Sequence, residues 1–208
     1  MKKKLIALLI CAAVCLTTGC GSKSSTSSTN ASSSTPSANE KFARCKWNGD
    51  VFTSDFFGIK ITLDSSCVKG SDEELALING IPDMSDANFN SAVEKSGLNN
   101  GVYEMYVEYR GSGSLSLAYN RYEGVALDEY VQLNANGLRM SEDFQDVVID
   151  KIEIGGESHP CVYATFVLDD VKYNELMVMY QKGDYFAILT IGAQTDYDFQ
   201  NMCRNMLG

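Results

Sequence analysis

Four β-prone runs follow one another at the C-terminal end of the chain: DVVIDKIEIGG from residue 146, HPCVYATFVLD from 159, VKYNELMVMYQKG from 171 and YFAILTIGA from 185. Between them stand the turn-forming pairs Gly155-Gly156, Asp169-Asp170 and Gly183-Asp184. Two-residue connections of this kind join antiparallel neighbours, whereas parallel strands need a long crossover. The spacing therefore predicts a four-stranded antiparallel meander. A helix should follow it in TDYDFQNMCRNML, capped by Thr195 and turning Phe199, Met202 and Met206 inward.

The remainder of the folded part repeats the theme of hairpins followed by helices. VYEMYVEYR and LSLAYNRY flank GSGS. Their alternation predicts a hairpin with Tyr103, Met105, Val107 and Tyr109 on the core face and two glutamates on a wet face. ALDEYVQLNANGLRM has helical spacing in Leu127, Tyr130, Val131 and Leu138. Further upstream, two β-prone runs around Lys46–Thr53 and Ile59–Leu63 flank Ser54-Asp55 and read as one hairpin. SDEELALINGI follows, with a capping box from Ser71 to Glu74, an apolar face at Leu75, Leu77 and Ile78, and a stop at Gly80. Residues 82–101 are polar and predict at most one helical turn. Strands in hairpins, not alternating with helices, give an α+β class: an antiparallel sheet of two hairpins plus a four-strand meander, flanked by helices.

The N-terminus has a different character. MKKKLIALLICAAVCLTTGC has a basic head, an apolar run of about twelve residues and a small-residue end, the three parts of a secretory signal. That run is too short to span a bilayer, which takes about 20 residues. The segment resembles a bacterial lipoprotein signal, read at Leu16-Thr17-Thr18-Gly19-Cys20. The resemblance implies cleavage before Cys20 and a lipid on its thiol, palmitate among the acyl chains. Leu16 stands one position further from the cysteine than is usual. Cys11 and Cys15 would leave with the signal. Residues 21–39, GSKSSTSSTNASSSTPSAN, contain no large apolar side chain and predict a flexible tether reaching roughly 25 Å. The expected organisation is a signal peptide over 1–19, a lipidated cysteine and tether over 20–42, and a globular domain over 43–208.

VFTSDFFGIKITLDSSCVKGSDEELALINGI resembles the opening of a group of uncharacterised Gram-positive lipoproteins. LDEYVQLNANGL, the run at HPCVYATF, and YFAILTIGA before an acidic helix extend the likeness over most of residues 46–207. SSCV stands where that group usually has a Pro-Gly-Trp corner. The group is similar in architecture to the PsbP-like α/β/α sandwich. The resemblance implies a fold and an extracytoplasmic, membrane-anchored address, and no catalytic residue comes with it.

Composition narrows the function. The chain of 208 residues carries 17 basic and 27 acidic residues. Lys2, Lys3 and Lys4 belong to the expected signal, so the mature balance is more acidic still. Such a body repels phosphate backbones, which argues against nucleic-acid binding. His159 is the one histidine and precedes Pro160 at a strand entrance, without the partners that a triad or a transition-metal site requires. No dinucleotide-binding, P-loop or nucleophile-elbow pattern occurs, so no cofactor and no catalytic residue is expected. Cys45, Cys67, Cys161 and Cys203 remain after processing. An even number outside the cytoplasm suggests two disulfides, and a turn near residue 55 would pair Cys45 with Cys67 and leave Cys161 with Cys203. Four free, buried thiols are the alternative.

The resulting expectation is a membrane-anchored module that binds a protein or glycan and is not an enzyme. A small-molecule-binding lipoprotein serving a transporter is the alternative, and a hydrolase is a weaker one.

Overall fold

The computed structural model describes residues 42–97 and 100–207. The signal, the lipid site at Cys20 and nearly all of the expected tether lie outside the described residues. Phe42, the last residue assigned to that tether, is buried against Phe56, Phe89, Tyr119 and Tyr185, so the packed domain includes it.

Ten strands form two antiparallel sheets among the described residues. The small sheet comprises β1 (Lys46–Asn48), β2 (Val51–Ser54) and β3 (Ile59–Thr62), in that order. The expected single hairpin is thus two. Asn48 faces Val51 across Gly49-Asp50, and the positive φ of Gly49 closes a tight turn inside the run read as one strand. This turn moves the register. Lys46 pairs with Thr53, so Cys45 runs in opposite Ser54 and not opposite residue 66.

The large sheet adds β4 (Cys67–Lys69), β5 (Val102–Tyr109), β6 (Gly113–Arg121), β7 (Phe144–Ile154), β8 (Glu157–Leu168), β9 (Val171–Lys182) and β10 (Tyr185–Ala193). Their spatial order is β4-β5-β6-β10-β9-β8-β7. The meander is as expected, with β10 closing it onto β6 through nine register pairs from Tyr185↔Arg121 to Ala193↔Gly113. Asp169 and Asp170 both have positive φ and form the two-residue β8–β9 turn. Lys69 clips the small sheet to the edge of the large one: its ammonium bonds Gly49 O at 2.6 Å and sits 4.3 Å from the Trp47 ring centroid.

Alternation along these strands sends side chains to two cores. One face, carrying Leu115, Leu117, Tyr119, Val178, Leu189 and Ile191, packs under the small sheet and three helices: α1 (Asp72–Asn79), α2 (Asp86–Lys95) and α4 (Asp196–Met206). The opposite face, with Val162, Phe166, Met177, Met179 and Phe186, is covered by α3 (Leu127–Met140) through Tyr130, Val131, Ala135 and Leu138. The architecture is α+β, helices on both faces of an antiparallel sheet. No helix among the described residues is long and apolar enough to cross a membrane.

The helices test the periodicity reading. Ser71 and Glu74 form the capping box of α1, and Gly80 ends it in the left-handed conformation. Leu77, expected on its apolar face, is 81% exposed, and Ala76 is buried instead. Residues 82–101 hold a full ten-residue helix, α2, where one turn was expected. Its apolar stripe is thin: Phe89 and Val93, four apart, are both fully buried, and polar residues surround them. In α4 the Thr195 hydroxyl accepts from the Asp198 amide, and Phe199, Met202 and Met206 face inward as the spacing predicts. Gly113 admits that helix: a Cβ there would meet Met202 S at 2.8 Å and Gly192 O at 3.0 Å.

The expected wet face of the β5–β6 hairpin is absent. A register shift between Tyr103 and Met105 breaks the alternation, and Glu104 is buried at 2% exposure. A β-bulge re-aims side chains in this way, and simple period-2 reading does not anticipate it.

Candidate functional site

A cleft of about 420 Å³ opens where the outer strand of the small sheet passes over the large one. One wall is Phe57 and Gly58 of the β2–β3 turn together with Ile59, Lys60 and Thr62 of β3. The other is the β7–β8 turn with Ile154, Gly155 and Glu157, and Tyr180, Leu189 and Leu207 contribute to the floor along with His159. The register explains the floor. Cys161 pairs with Val178, which places His159 beside Tyr180 on the adjacent strand, ring centroids 4.7 Å apart. Burial lowers the His159 pKa, while Glu157, Glu153 and the Ile154 carbonyl pull it back upward. Burial also pushes the Tyr180 phenol well above its ordinary value, keeping it a neutral donor. Its hydroxyl makes no hydrogen bond among the described residues. The site thus offers an apolar floor with a neutral imidazole and phenol, and a rim carrying Lys60 and Glu157.

Phe57 links this cleft to a buried polar cluster by stacking on Tyr119, centroids 5.5 Å apart and planes 10° from parallel. The Tyr119 hydroxyl lies 2.9 Å from Cys45 Sγ. The Cys45 amide donates to Glu104 Oε1 at 2.7 Å, and Arg44 Nε approaches the same oxygen at 3.4 Å. Arg44 also donates to the Met84 carbonyl and reaches Asp72 at 3.3 Å. Glu104 Oε2 has no hydrogen-bond partner among the described residues. Burial raises the Glu104 pKa against the pull of Cys45, Tyr119 and Arg44. Burial and the Glu104 charge raise the Cys45 pKa far above that of an ordinary thiol. A thiol held protonated is a poor nucleophile, so this cluster pins the chain entering β1 and does not activate Cys45.

The four cysteines are free thiols in the structure. The register that would have joined Cys45 to Cys67 does not exist: Cys45 enters the small sheet, and Cys67 pairs with Tyr109 in the large one. Cys161 and Cys203 do meet the same core, the first buried on β8 and the second on the inward side of α4. Burial pushes both thiols to about 11, and for Cys203 the neighbouring Cys161 adds to the effect.

Two features were not anticipated from the sequence. Glu104 is hidden by its bulge. Glu175 occupies the other core, on the α3 side of β9 between Ala164 and Gly192, at 3% exposure and with Oε1 unpartnered among the described residues. Burial raises its pKa to about 8. The alternation Tyr173, Glu175, Met177, Met179 places it in an inward row, a signal that was present in the sequence.

No protein-family model matches the chain, and no curated protein matches it. Solved structures are similar to it over part of its length. The crystal structure of LpqN, involved in cell envelope biogenesis of Mycobacterium tuberculosis, is 10% identical with a TM-score of 0.40, covering 50% of this chain and 68% of its own. The solution structure of cyanobacterial PsbP from Synechocystis sp. PCC 6803 is 10% identical with a TM-score of 0.44, covering 80% of this chain and 93% of its own. Neither likeness is close enough to carry a function or a residue role to this chain.

Proposed function

We propose that the chain is a lipid-anchored extracytoplasmic accessory module that binds a partner in the cleft beside β3 and does not catalyse a reaction. The supporting observation is the composition of that cleft. Ile154 provides apolar surface over the buried Leu189 and Leu207, Tyr180 and His159 provide neutral hydrogen-bonding groups, and no cysteine or serine lines the cleft. Cys45 and Cys161 do not line the cleft, and burial holds both thiols protonated. Binding surfaces favour such a mixture of apolar contact and a few placed polar groups. Cys20 supplies the anchor and the serine-rich segment supplies clearance from the membrane.

The experiment is site-specific photocrosslinking of the full-length protein in its own cell, with the crosslinker at Lys60 or at Met140. Met140 ends α3 on the opposite face and is 68% exposed. A reproducible adduct from position 60 that is absent from position 140 is expected, and equal or absent adducts would refute a macromolecular partner in the cleft. Cys20→Ser should release the protein from the membrane fraction; processed, membrane-bound material would refute the anchor. The volume of about 420 Å³ also suits a small organic ligand, for which sites run about 300–1,000 Å³. That reading predicts protection from thermal unfolding by a low-molecular-weight cell extract and no macromolecular adduct at position 60.

A further inference from the structure

The wall of the cleft formed by β3 is a strand edge, and its backbone polarity can be deduced from the register. Along β2–β3, Val51 faces Thr62, Phe52 faces Ile61, Thr53 faces Lys60 and Ser54 faces Ile59. The Leu63 amide donates to Asp50 O at 2.9 Å, extending the same register by one step. In an antiparallel ladder, bonded and non-bonded pairs alternate. If 63/50 is bonded, then 61/52 and 59/54 are bonded as well, and 62/51 and 60/53 are not. The outer pairing agrees: Asn48 and Val51 flank a two-residue turn and so form a bonded pair, and two steps on Lys46 and Thr53 are bonded as well. The amides and carbonyls of Val51 and Thr53 therefore turn toward β1. Lys60 and Thr62 must then turn their N–H and C=O groups away from β2. Both residues are exposed and line the cleft, and β3 has no other strand partner among the described residues.

An edge with two donors and two acceptors in strand register, facing an open cleft, is complementary to an extended backbone. We propose that β3 binds an extended peptide segment by strand addition, the segment becoming a fourth strand of the small sheet within the cleft. This inference rests on the cleft reading above and specifies its partner. The new strand lies about 4.8 Å from β3, and its side chains alternate in direction. One set turns down toward Tyr180, Leu189 and Ile154. The other faces solvent beside the rim. The ligand is therefore an unfolded stretch of protein with a large apolar residue between polar ones, read by shape at the floor and by backbone at the edge. Ile59 and Ile61 are buried beneath β3, which keeps the edge rigid and pre-aligned. On β7, the outermost strand of the large sheet, Asp146 sits at positive φ within a break in register, a device that discourages pairing.

The test is selection of a displayed library of random twelve-residue peptides on the full-length protein in detergent, followed by affinity measurement on variants. Lys60→Pro removes one edge donor and places a ring in the path of the incoming strand, and proline is tolerated at strand edges. Lys60→Met retains the backbone and removes the charge. Selected peptides should bind Lys60→Pro at least tenfold more weakly than wild type, and Lys60→Met within threefold. Amide hydrogen exchange of the wild-type protein provides a readout that needs no variant: the Lys60 and Thr62 amides should exchange freely alone and become protected with peptide. Peptides that bind Lys60→Pro normally, leave both amides unprotected and yet lose affinity with His159→Ala would overturn strand addition and leave the cleft standing. Failure to enrich any peptide, or binding indifferent to both positions, would overturn both.

Discussion

Replacing Glu175 with glutamine should stabilise the domain, and by an amount that depends on pH. The carboxyl is 3% exposed beneath α3, with Ala164 and Gly192 as its register neighbours and no partner for Oε1 among the described residues. Its pKa rises from 4.5 to about 8 because burial disfavours the charge. The native state therefore keeps the proton after the unfolded chain has released it. Since native protein binds more protons than unfolded protein across this window, stability from this group is complete below pH 4.5 and drains away as pH rises toward 8. At about 1.4 kcal/mol per unit, the loss at pH 7 is about 3 kcal/mol. Glutamine has nearly the same shape and no proton to surrender. The stability difference between Glu175→Gln and wild type should thus grow by about 3 kcal/mol between pH 4 and pH 7, roughly 6–12 °C in melting temperature for a domain of this size. Urea denaturation followed by tyrosine and tryptophan fluorescence at successive pH values measures it. Other carboxylates titrate in both proteins and cancel. A difference that stays flat from pH 4 to pH 7 would refute the placement of a protonated acid in this core, and Glu175→Met, which removes every polar atom, checks the same pH trend independently.

Gly113→Ala should cost about 1–3 kcal/mol by forcing apart α4 and the β6–β10 pair, because the added methyl meets Gly192 O at 3.0 Å and Met202 S at 2.8 Å. Gly97→Ala, where nothing lies within 4 Å, is the control; equal denaturation midpoints for the two would contradict the close approach. His159, with its pKa lowered by burial, should make the opposite contribution to pH dependence from Glu175. Its stabilisation is present above the ordinary value of 6.5 and is lost as pH falls below it. His159→Gln should flatten that part of the stability curve between pH 7 and pH 5, and unchanged curvature there would place the imidazole in solvent.

Much of the fold was legible because it rests on local chemistry. The meander follows from period-2 runs punctuated by residues that accept positive φ, and Asp169 and Asp170 adopt it as such a turn requires. The capping box at Ser71 and the inward triplet of α4 follow likewise from contacts within one or two helical turns. The misreadings share a cause. Gly49 makes a turn within a run that composition alone reads as continuous, and Phe89 and Val93 anchor α2 despite a polar sequence. Leu77 lies on the outside of α1 although leucine suits the core.

Sequence by itself determined the C-terminal meander, most of the helices, the antiparallel class and the acidic balance, because propensity, turn geometry and charge act over a few residues. Tertiary structure alone decided that β10 closes onto β6, that a bulge buries Glu104, that Cys45 meets Tyr119 and not Cys67, and that the outer edge of β3 opens into a cleft with His159 and Tyr180 on its floor. Each depends on which surfaces meet across long stretches of chain, and no periodicity within one segment encodes that meeting.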